Sequence, residues 1–325
     1  MTLTMEALTN IVRDGDGLVI LFGAQAITPM TEPSVDALYE QVRMSVPVVE
    51  TELPMVATPV APGIRVLALR TPTLPPAAHT NTYLLGAETG EQLVVDPGSP
   101  YPEQQAVLDA VLAADVEAGR PPATIVLTHH HGDHVGGAAA LAAKWRVPIA
   151  AHARTAARLA GRLRVDRELA DGDVIAGATC IYTPGHADGH LCFQLGAAIV
   201  AGDMVAGLGT ILIDPSEGDM AQYFASLHLL LARGAATLLP AHGPPIRDAA
   251  GKLREYIAHR TMREDRVVAA LAARHEPARE HDLVPEVYAD TPKPLWPIAA
   301  RSLRAHLDKL EREGRAHRVA GAWAR

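Results

Sequence analysis

The sequence predicts an α/β fold with its chemistry gathered at the ends of strands. The stretch from His129 to His134 packs four histidines and one aspartate into six positions. It follows the apolar, β-branched run Ile125-Val126-Leu127-Thr128 and precedes the Ala- and Leu-rich run Ala138–Trp145, so it lies on a loop between a strand and a helix. Three later apolar runs each end near glycine in a ligand-type side chain. Cys180-Ile181-Tyr182 leads to Gly185-His186, Ile199-Val200-Ala201-Gly202 to Asp203, and Leu238-Leu239-Pro240 to His242-Gly243. Loops at strand ends are where α/β folds place reactive groups.

The chain has 325 residues, 48% of them hydrophobic, enough for a sizeable core and roughly two domains. No basic segment followed by an apolar core opens it, so no signal peptide is expected. Leu18-Val19-Ile20-Leu21-Phe22 is too short to span a bilayer, and no membrane partner is expected. Cys180 and Cys192 are the only cysteines; they make no disulfide framework, read as small core residues, and leave a cytoplasmic setting as the expectation.

Residues 1–62 read as an N-terminal extension that packs on the main domain or on a neighbouring subunit. Gly15-Asp16-Gly17 marks a turn, and Pro29, Pro33, Pro47, Pro54, Pro59 and Pro62 confine any long helix to about Ser34–Met44. From Gly63, a strand is expected at Ile64–Leu69 from its partial alternation, and later a helix over Tyr101–Ala118 carried by Val107, Leu108, Val111 and Leu112. Val147–His152 reads as a strand ending in histidine, and Leu169–Asp173 as a turn. The glycine-spaced segment from Gly207 to Tyr223 is expected to wall the active-site cleft. An amphipathic helix over Met220–Arg233 overlaps its end, with His228 exposed or packed.

The spacing suits metal. His129 and His131 are two apart, so in an extended segment both imidazoles reach one ion. Asp133 and His134 follow where the chain turns into a helix and can face a second ion. Neutral imidazole and carboxylate are ligands that catalytic zinc prefers. His130 points away under the same alternation, toward supporting a ligand or a structural role. His190 is read as organising its loop by hydrogen bonds, His152 as supporting a ligand or serving its loop, and His79 as facing solvent or the pocket rim. Asp96, before Pro97-Gly98, is either turn chemistry or a partner of a ligand histidine.

The order His-x-His-x-Asp-His, Gly-His, Gly-Asp, Ala-His-Gly from Thr128 to Gly243 resembles the metallo-β-lactamase superfamily of hydrolases. The resemblance implies an α/β fold of the αββα sandwich type, in which Thr80–Gly86 looks like the second strand and Leu93–Gly98 like the third. It implies that His129, His131 and His186 hold a first zinc, that Asp133, His134 and His242 hold a second, and that Asp203 bridges them. Asp96 has a counterpart near the metals, where it would fix the tautomer of a ligand histidine. The complete aspartate-containing set is closer to two-metal hydrolases than to true β-lactamases. Near the C-terminus, His259-Arg260-x-x-Arg263-Glu264 and Leu307-x-x-Leu310-x-x-Glu313-Gly314 resemble the lactamase-β-like branch that carries a winged helix. This implies a catalytic domain at 63–250 and a small winged-helix-like helical domain at 251–325. Within the latter, helices are expected to about Arg274 and over Pro297–Glu313, followed by a wing at Ala316–Trp323.

By that resemblance, two zinc ions would generate a bridging hydroxide, with iron or manganese as alternatives and Asp133 as both ligand and proton carrier. No Gly-x-Ser-x-Gly elbow competes with this reading. The branch includes a single-strand ribonuclease and thioesterase-like members. Net charge is −8, unfavourable for nucleic acid, and 4% aromatic content leaves few stacking platforms. Residues from Gly251 onward carry 15 Lys/Arg against 11 Asp/Glu, a net of +4, leaving −12 on the remainder. Hydrolysis of a small ester, thioester or lactone is therefore expected, with metal-dependent single-strand endoribonuclease activity as the alternative and RNA as the alternative partner. A non-enzymatic metal-binding or DNA-binding winged-helix protein is the remaining class. Against a DNA reader, Leu303–Glu313 mixes Arg304, Lys309 and Arg312 with Asp308, Glu311 and Glu313. The C-terminal domain is expected either to cover the cleft or to form a homodimer.

Overall fold

The computed structural model describes residues 11–14, 17–20, 35–49 and 54–325. The turn expected at Gly15-Asp16 and the prolines Pro29 and Pro33 lie outside the described residues. Strands β1 (Ile11–Asp14) and β2 (Gly17–Ile20) pair as a separate antiparallel hairpin, and α1 spans Val35–Ser45.

Seven strands then form one sheet in chain order: β3 (Thr58–Ala61), β4 (Ile64–Arg70), β5 (His79–Leu85), β6 (Gln92–Val95), β7 (Pro122–Val126), β8 (Ile149–His152) and β9 (Arg167–Leu169). Pairing is antiparallel up to β6 and parallel beyond it. Parallel neighbours need a crossover. These are supplied by α2 (Pro102–Glu117), by α3 (Gly132–Val135) with α4 (Ala138–Trp145), and by α5 (Ala153–Leu159). A second, five-stranded sheet holds β10 (Val174–Ile175), β11 (Ala178–Tyr182), β12 (Leu191–Leu195), β13 (Ala198–Gly202) and β14 (Thr237–Pro240). Helix α6 (Met220–Ala232) returns the chain so that β14 runs parallel to β13.

Side-chain alternation builds four layers. On β6, Leu93 and Val95 face the second sheet with Phe193, Val200 and Leu239, whereas Val94 faces Leu108 and Leu112 of α2. On β13, Val200 points inward, and Ile199 and Ala201 point outward to Met220, Tyr223 and Leu227 of α6. Strands covered on both faces read as continuous apolar runs, which explains why the pattern here is unbroken rather than alternating. Cys180 and Cys192 are buried in this sandwich; burial pushes their thiols up to about 11 and about 12, as fits inert core residues.

Helices α7 (Ala249–Ala272), α8 (Glu280–Val287) and α9 (Trp296–Arg312) with the hairpin β15 (His317–Val319) and β16 (Ala322–Ala324) form the C-terminal part. Its own core joins Leu271, Leu283, Leu303, Leu307 and Trp323. Two boundaries differ in detail from the expected 62/63 and 250/251. The first sheet takes in Thr58–Ala61 because that strand pairs with β4. Residue 251 falls inside α7, which packs Leu253 and Tyr256 on the second sheet and Val267 and Leu271 in the C-terminal core. No helix among the described residues is long and apolar enough to cross a membrane.

Candidate metal centre

Parallel pairing sets the site. β6 and β7 are parallel neighbours in one sheet, β13 and β14 in the other. Their C-terminal ends therefore open on one edge of the sandwich. Asp96 follows β6, Thr128 to His134 follow β7, Asp203 follows β13 and His242 follows β14, while His186 follows β11. Backbone bonds lock these ends together: Leu191 N–H donates to the Thr128 carbonyl at 2.8 Å and Asn81 N–H to that of Ala241 at 2.8 Å. Gly98 allows the loop after β6 to pass under α3, since a Cβ there would lie 1.8 Å from the Asp133 carbonyl oxygen.

One group of nitrogens is compact. His129 Nε2 lies 2.9 Å from His131 Nδ1 and 3.3 Å from His186 Nε2, and His131 Nδ1 lies 3.1 Å from His186 Nε2. A tetrahedral ion with zinc–nitrogen distances of about 2.0–2.1 Å requires nitrogens roughly 3.3 Å apart. A second group joins Asp133, His134 and His242. His242 Nε2 is 3.5 Å from Asp133 Oδ2 and 3.4 Å from Asp203 Oδ1. Asp203 stands between the groups: Oδ1 is 3.6 Å from His134 Nε2 and Oδ2 is 3.7 Å from His186 Nε2. His134 Nε2 and Asp203 Oδ1 are buried with no hydrogen-bond partner. Leaving such atoms unpaired costs about 1–3 kcal/mol each. The nitrogen spacing of the first group and the orphaned atoms at the second each fit a divalent ion.

Each outward nitrogen is engaged. Asp96, itself buried, accepts from Thr128 N–H at 2.7 Å and Thr128 Oγ1 at 2.6 Å, and its Oδ2 lies 2.8 Å from His134 Nδ1. His186 Nδ1 meets the Leu212 carbonyl at 2.8 Å and His242 Nδ1 that of His79 at 3.0 Å. Asn81 Nδ2 donates to the carbonyls of Pro240 and Gly243, bracing the turn that carries His242. His190 lies outside both groups. Its Nδ1 is 2.8 Å from Thr183 Oγ1, and its Nε2 accepts from Asp203 N–H at 3.2 Å. Gly202 makes room for that ring: its φ is +49°, and a Cβ would sit 2.5 Å from His190 Nε2. His152 caps α5 by accepting from Arg154 N–H and stacks on Tyr182 at 4.4 Å; His228 is exposed.

Electrostatics divides the histidines. Burial and then the neighbouring His134 and His131 hold His129 well below its ordinary value, and burial with His131 takes His186 down to about 4. Both rings are thus neutral, each keeping one N–H and offering one bare nitrogen. Burial also opposes charge on His134, but Asp96, Asp133 and Asp203 outweigh it and raise this ring to about 10. Burial works against the charged form of Asp203 as well; His242 and His134 overcome it and hold that carboxyl well below the usual range.

Sequence reasoning missed Glu217. Its Oε2 is 2.8 Å from His130 Nε2 and its Oε1 is 2.7 Å from His131 Nε2, so His130 belongs to the support of the site through this carboxylate. Glu217 sits in the segment expected to wall the cleft, but nothing in Asp-Pro-Ser-Glu-Gly marks an acid that reaches two histidines 86 and 87 residues away. Tyr39 was also missed. Burial and then the charges of Glu217 and Asp214 raise its phenol, which places α1 beside the same loop.

A family model described as the metallo-beta-lactamase superfamily matches residues 75–242, and one described as the beta-lactamase associated winged helix domain matches residues 280–323. The chain is 30% identical over 280 residues to a beta-lactamase-like protein 2 homolog of Drosophila melanogaster, covering 81% of this chain and 92% of that one. It is 33% identical over 198 residues to an atrochrysone carboxyl ACP thioesterase of Aspergillus chevalieri, covering 59% and 60%. A solved metallo-beta-lactamase family protein of Thermus thermophilus superposes with a TM-score of 0.65 at 25% identity, covering 82% of this chain and 99% of that one. With this fold, this C-terminal domain and these relatives, the chain belongs to the metallo-β-lactamase superfamily and is a metallohydrolase of that fold carrying a β-lactamase-associated winged helix domain.

Proposed function

We propose that the protein is a dinuclear metal-dependent hydrolase of small esters, thioesters or lactones, with thioesters as the favoured class. The observation that carries this is Asp203, whose two oxygens face different groups of histidines, Oδ1 toward His134 and His242 and Oδ2 toward His186. In this reading His129, His131 and His186 would hold one ion and Asp133, His134 and His242 the other, with Asp203 standing between the two groups. Zinc suits the mixed imidazole–carboxylate set, with iron or manganese as alternatives. Divalent ions held there supply Lewis acidity and lower the pKa of coordinated water.

The chain's own residues do the rest. Asp96 and Glu217 hold His134 and His131 with their far nitrogens turned outward. His190 fixes the backbone of Asp203. Asp133 precedes His134 on the opening turn of α3 and keeps 16% of its side chain exposed, so we assign it the transfer of a proton to the leaving group. In a thioester, water adds to the carbonyl carbon, the carbon–sulfur bond breaks, and the thiolate takes the proton to leave as thiol beside a carboxylic acid.

The thioester class is supported by the relative named as an ACP thioesterase. Against RNA, basic residues of the C-terminal domain are tied to carboxylates of the chain: Arg304 to Asp308, Lys309 and Arg315 to Glu264, and Arg312 to Asp219. The test is a panel of thioesters, esters, lactones and a labelled single-stranded RNA, given to zinc-loaded protein of measured metal content. His131→Ala and Asp133→Ala serve as controls. Turnover of one ester-type class, falling at least a hundredfold in both variants while circular dichroism stays native, is expected; a loss of that order follows removal of one strong transition-state contact. RNA cleavage lost in the variants would reassign the protein as an endoribonuclease. Undiminished turnover in metal-replete Asp133→Ala would refute the assignment of Asp133.

A further inference from the structure

We propose that the C-terminal domain positions the metal centre, acting from Arg301 through Asp214 to Glu217. This rests on the reading of His131 as a ligand. His131 turns Nδ1 inward, 2.9 and 3.1 Å from the nitrogens of His129 and His186, and meets Glu217 Oε1 with Nε2 at 2.7 Å. A carboxylate on the far nitrogen keeps the proton there and leaves the inward lone pair free. The other oxygen of Glu217 holds His130, so one side chain orients two consecutive histidines.

Glu217 does not come from a strand end. It sits on the loop between β13 and α6, and α7 and α9 hold that loop. Arg301 of α9 grips Asp214 with two bonds of 2.9 Å, Nε to Oδ2 and Nη2 to Oδ1. The Asp214 side chain is only 2% exposed and also accepts from Ser216 N–H at 2.9 Å and Ser216 Oγ at 2.7 Å. Its carbonyl accepts from Glu217 N–H at 3.2 Å and Gly218 N–H at 2.6 Å, closing a tight turn that presents Glu217. On either side, Ser302 Oγ accepts from Ile213 N–H, Arg260 of α7 donates to the Ile211 carbonyl, and Arg312 pairs with Asp219 at 2.6 Å. Bidentate guanidinium–carboxylate pairs fix geometry as well as adding energy. The loop also carries Leu212, whose carbonyl holds His186. Two members of the first histidine group therefore depend on a loop fastened to the winged helix domain.

The test is zinc titration of the full chain against a competing chelator, for wild type, Glu217→Gln, Arg301→Met and Asp214→Asn. Long-range nitrogen–proton spectra of the zinc-loaded forms report the tautomer of His131. Glu217→Gln should weaken one of the two binding steps about 10–100-fold, the range for losing such a carboxylate. It should also disturb the His131 signal and leave the other step near wild type. Arg301→Met should weaken the same step roughly threefold or more. Asp214→Asn still accepts from Ser216 and replaces Arg301→Met as the domain arm if that variant does not fold. Wild-type affinity at both steps in Glu217→Gln overturns the role of Glu217. Weakening in Glu217→Gln but in neither Arg301→Met nor Asp214→Asn overturns the role of the domain. A folded wild type that takes up no divalent ion overturns the metal-site reading itself.

Discussion

Asp96→Asn tests how far a single buried carboxylate sets the chemistry of the site. Asp96 is 2% exposed and spends both oxygens, one on Thr128 N–H and the other on Thr128 Oγ1 and His134 Nδ1. Asparagine keeps one acceptor, which the Thr128 amide takes, and turns an NH2 group toward His134. That group can bond only a bare Nδ1, so the His134 proton moves to Nε2, the nitrogen facing Asp203 at 3.6 Å. Restoring the useful tautomer gives up a charge-assisted hydrogen bond worth about 1.5–3 kcal/mol. At about 1.4 kcal/mol per decade this predicts a roughly 10–100-fold weaker metal-binding step. The assay is zinc competition resolved into two steps, with thermal unfolding of the metal-free protein alongside. The expected result is one weakened step, one unchanged step and a native circular dichroism spectrum. Wild-type affinity at both steps would refute the tautomer argument, and equal loss at both would show that the variant damages the loop rather than one ring. Asp96→Ala is less informative, since it strands buried donors on Thr128 and His134 at about 1–3 kcal/mol each.

Two predictions concern stability. Phe193 is fully buried between the sheets, so Phe193→Ala should cost about 3–5 kcal/mol in urea unfolding, and a loss below about 1 kcal/mol would contradict the packing. In the C-terminal domain, Glu264 is bonded by Lys309 at 2.7 Å and by Arg315 at 2.5 Å. Burial raises its carboxyl, but His306, Lys309 and Arg315 outweigh burial and hold it at about 2 against an ordinary 4.5. A depressed acid stabilises the fold above its unfolded value and loses that contribution as pH falls through its folded value. Metal-free Glu264→Gln should therefore be less stable than wild type by on the order of 2 kcal/mol at pH 7, allowing for solvent screening. The gap should narrow as pH drops from about 4.5 toward about 2; one that stays constant down to pH 2.5 would rule out the charge as its source.

Much of the fold is legible along the chain because its signals are local. Runs such as Leu93–Val95 and Ile199–Ala201 are apolar at every position, which marks strands covered on both faces. The Ala- and Leu-rich stretch at 138–145 and the amphipathic stretch at 220–232 are helices where composition and period place them. Domain edges are less legible. The Thr58–Ala61 strand exists because β4 pairs with it, and α7 runs unbroken because its two ends find different cores.

The sequence by itself determined which side chains are candidates for the site. His129, His131, Asp133 and His134 are contiguous, and His186, Asp203 and His242 each follow an apolar run beside glycine, so identity and spacing sufficed to single them out. Asp96 was visible as the end of such a run, though its partner was not. Only tertiary structure decided which nitrogen of each ring faces inward, that His190 serves the backbone of Asp203, and that Glu217 reaches His130 and His131. It alone joined Arg301 to Asp214, 87 residues apart. The physical reason is range: backbone preference and hydrophobic period act over a few residues, whereas tautomers, carboxylate contacts and domain clamps arise only when distant segments are packed together and their buried polar atoms must find partners.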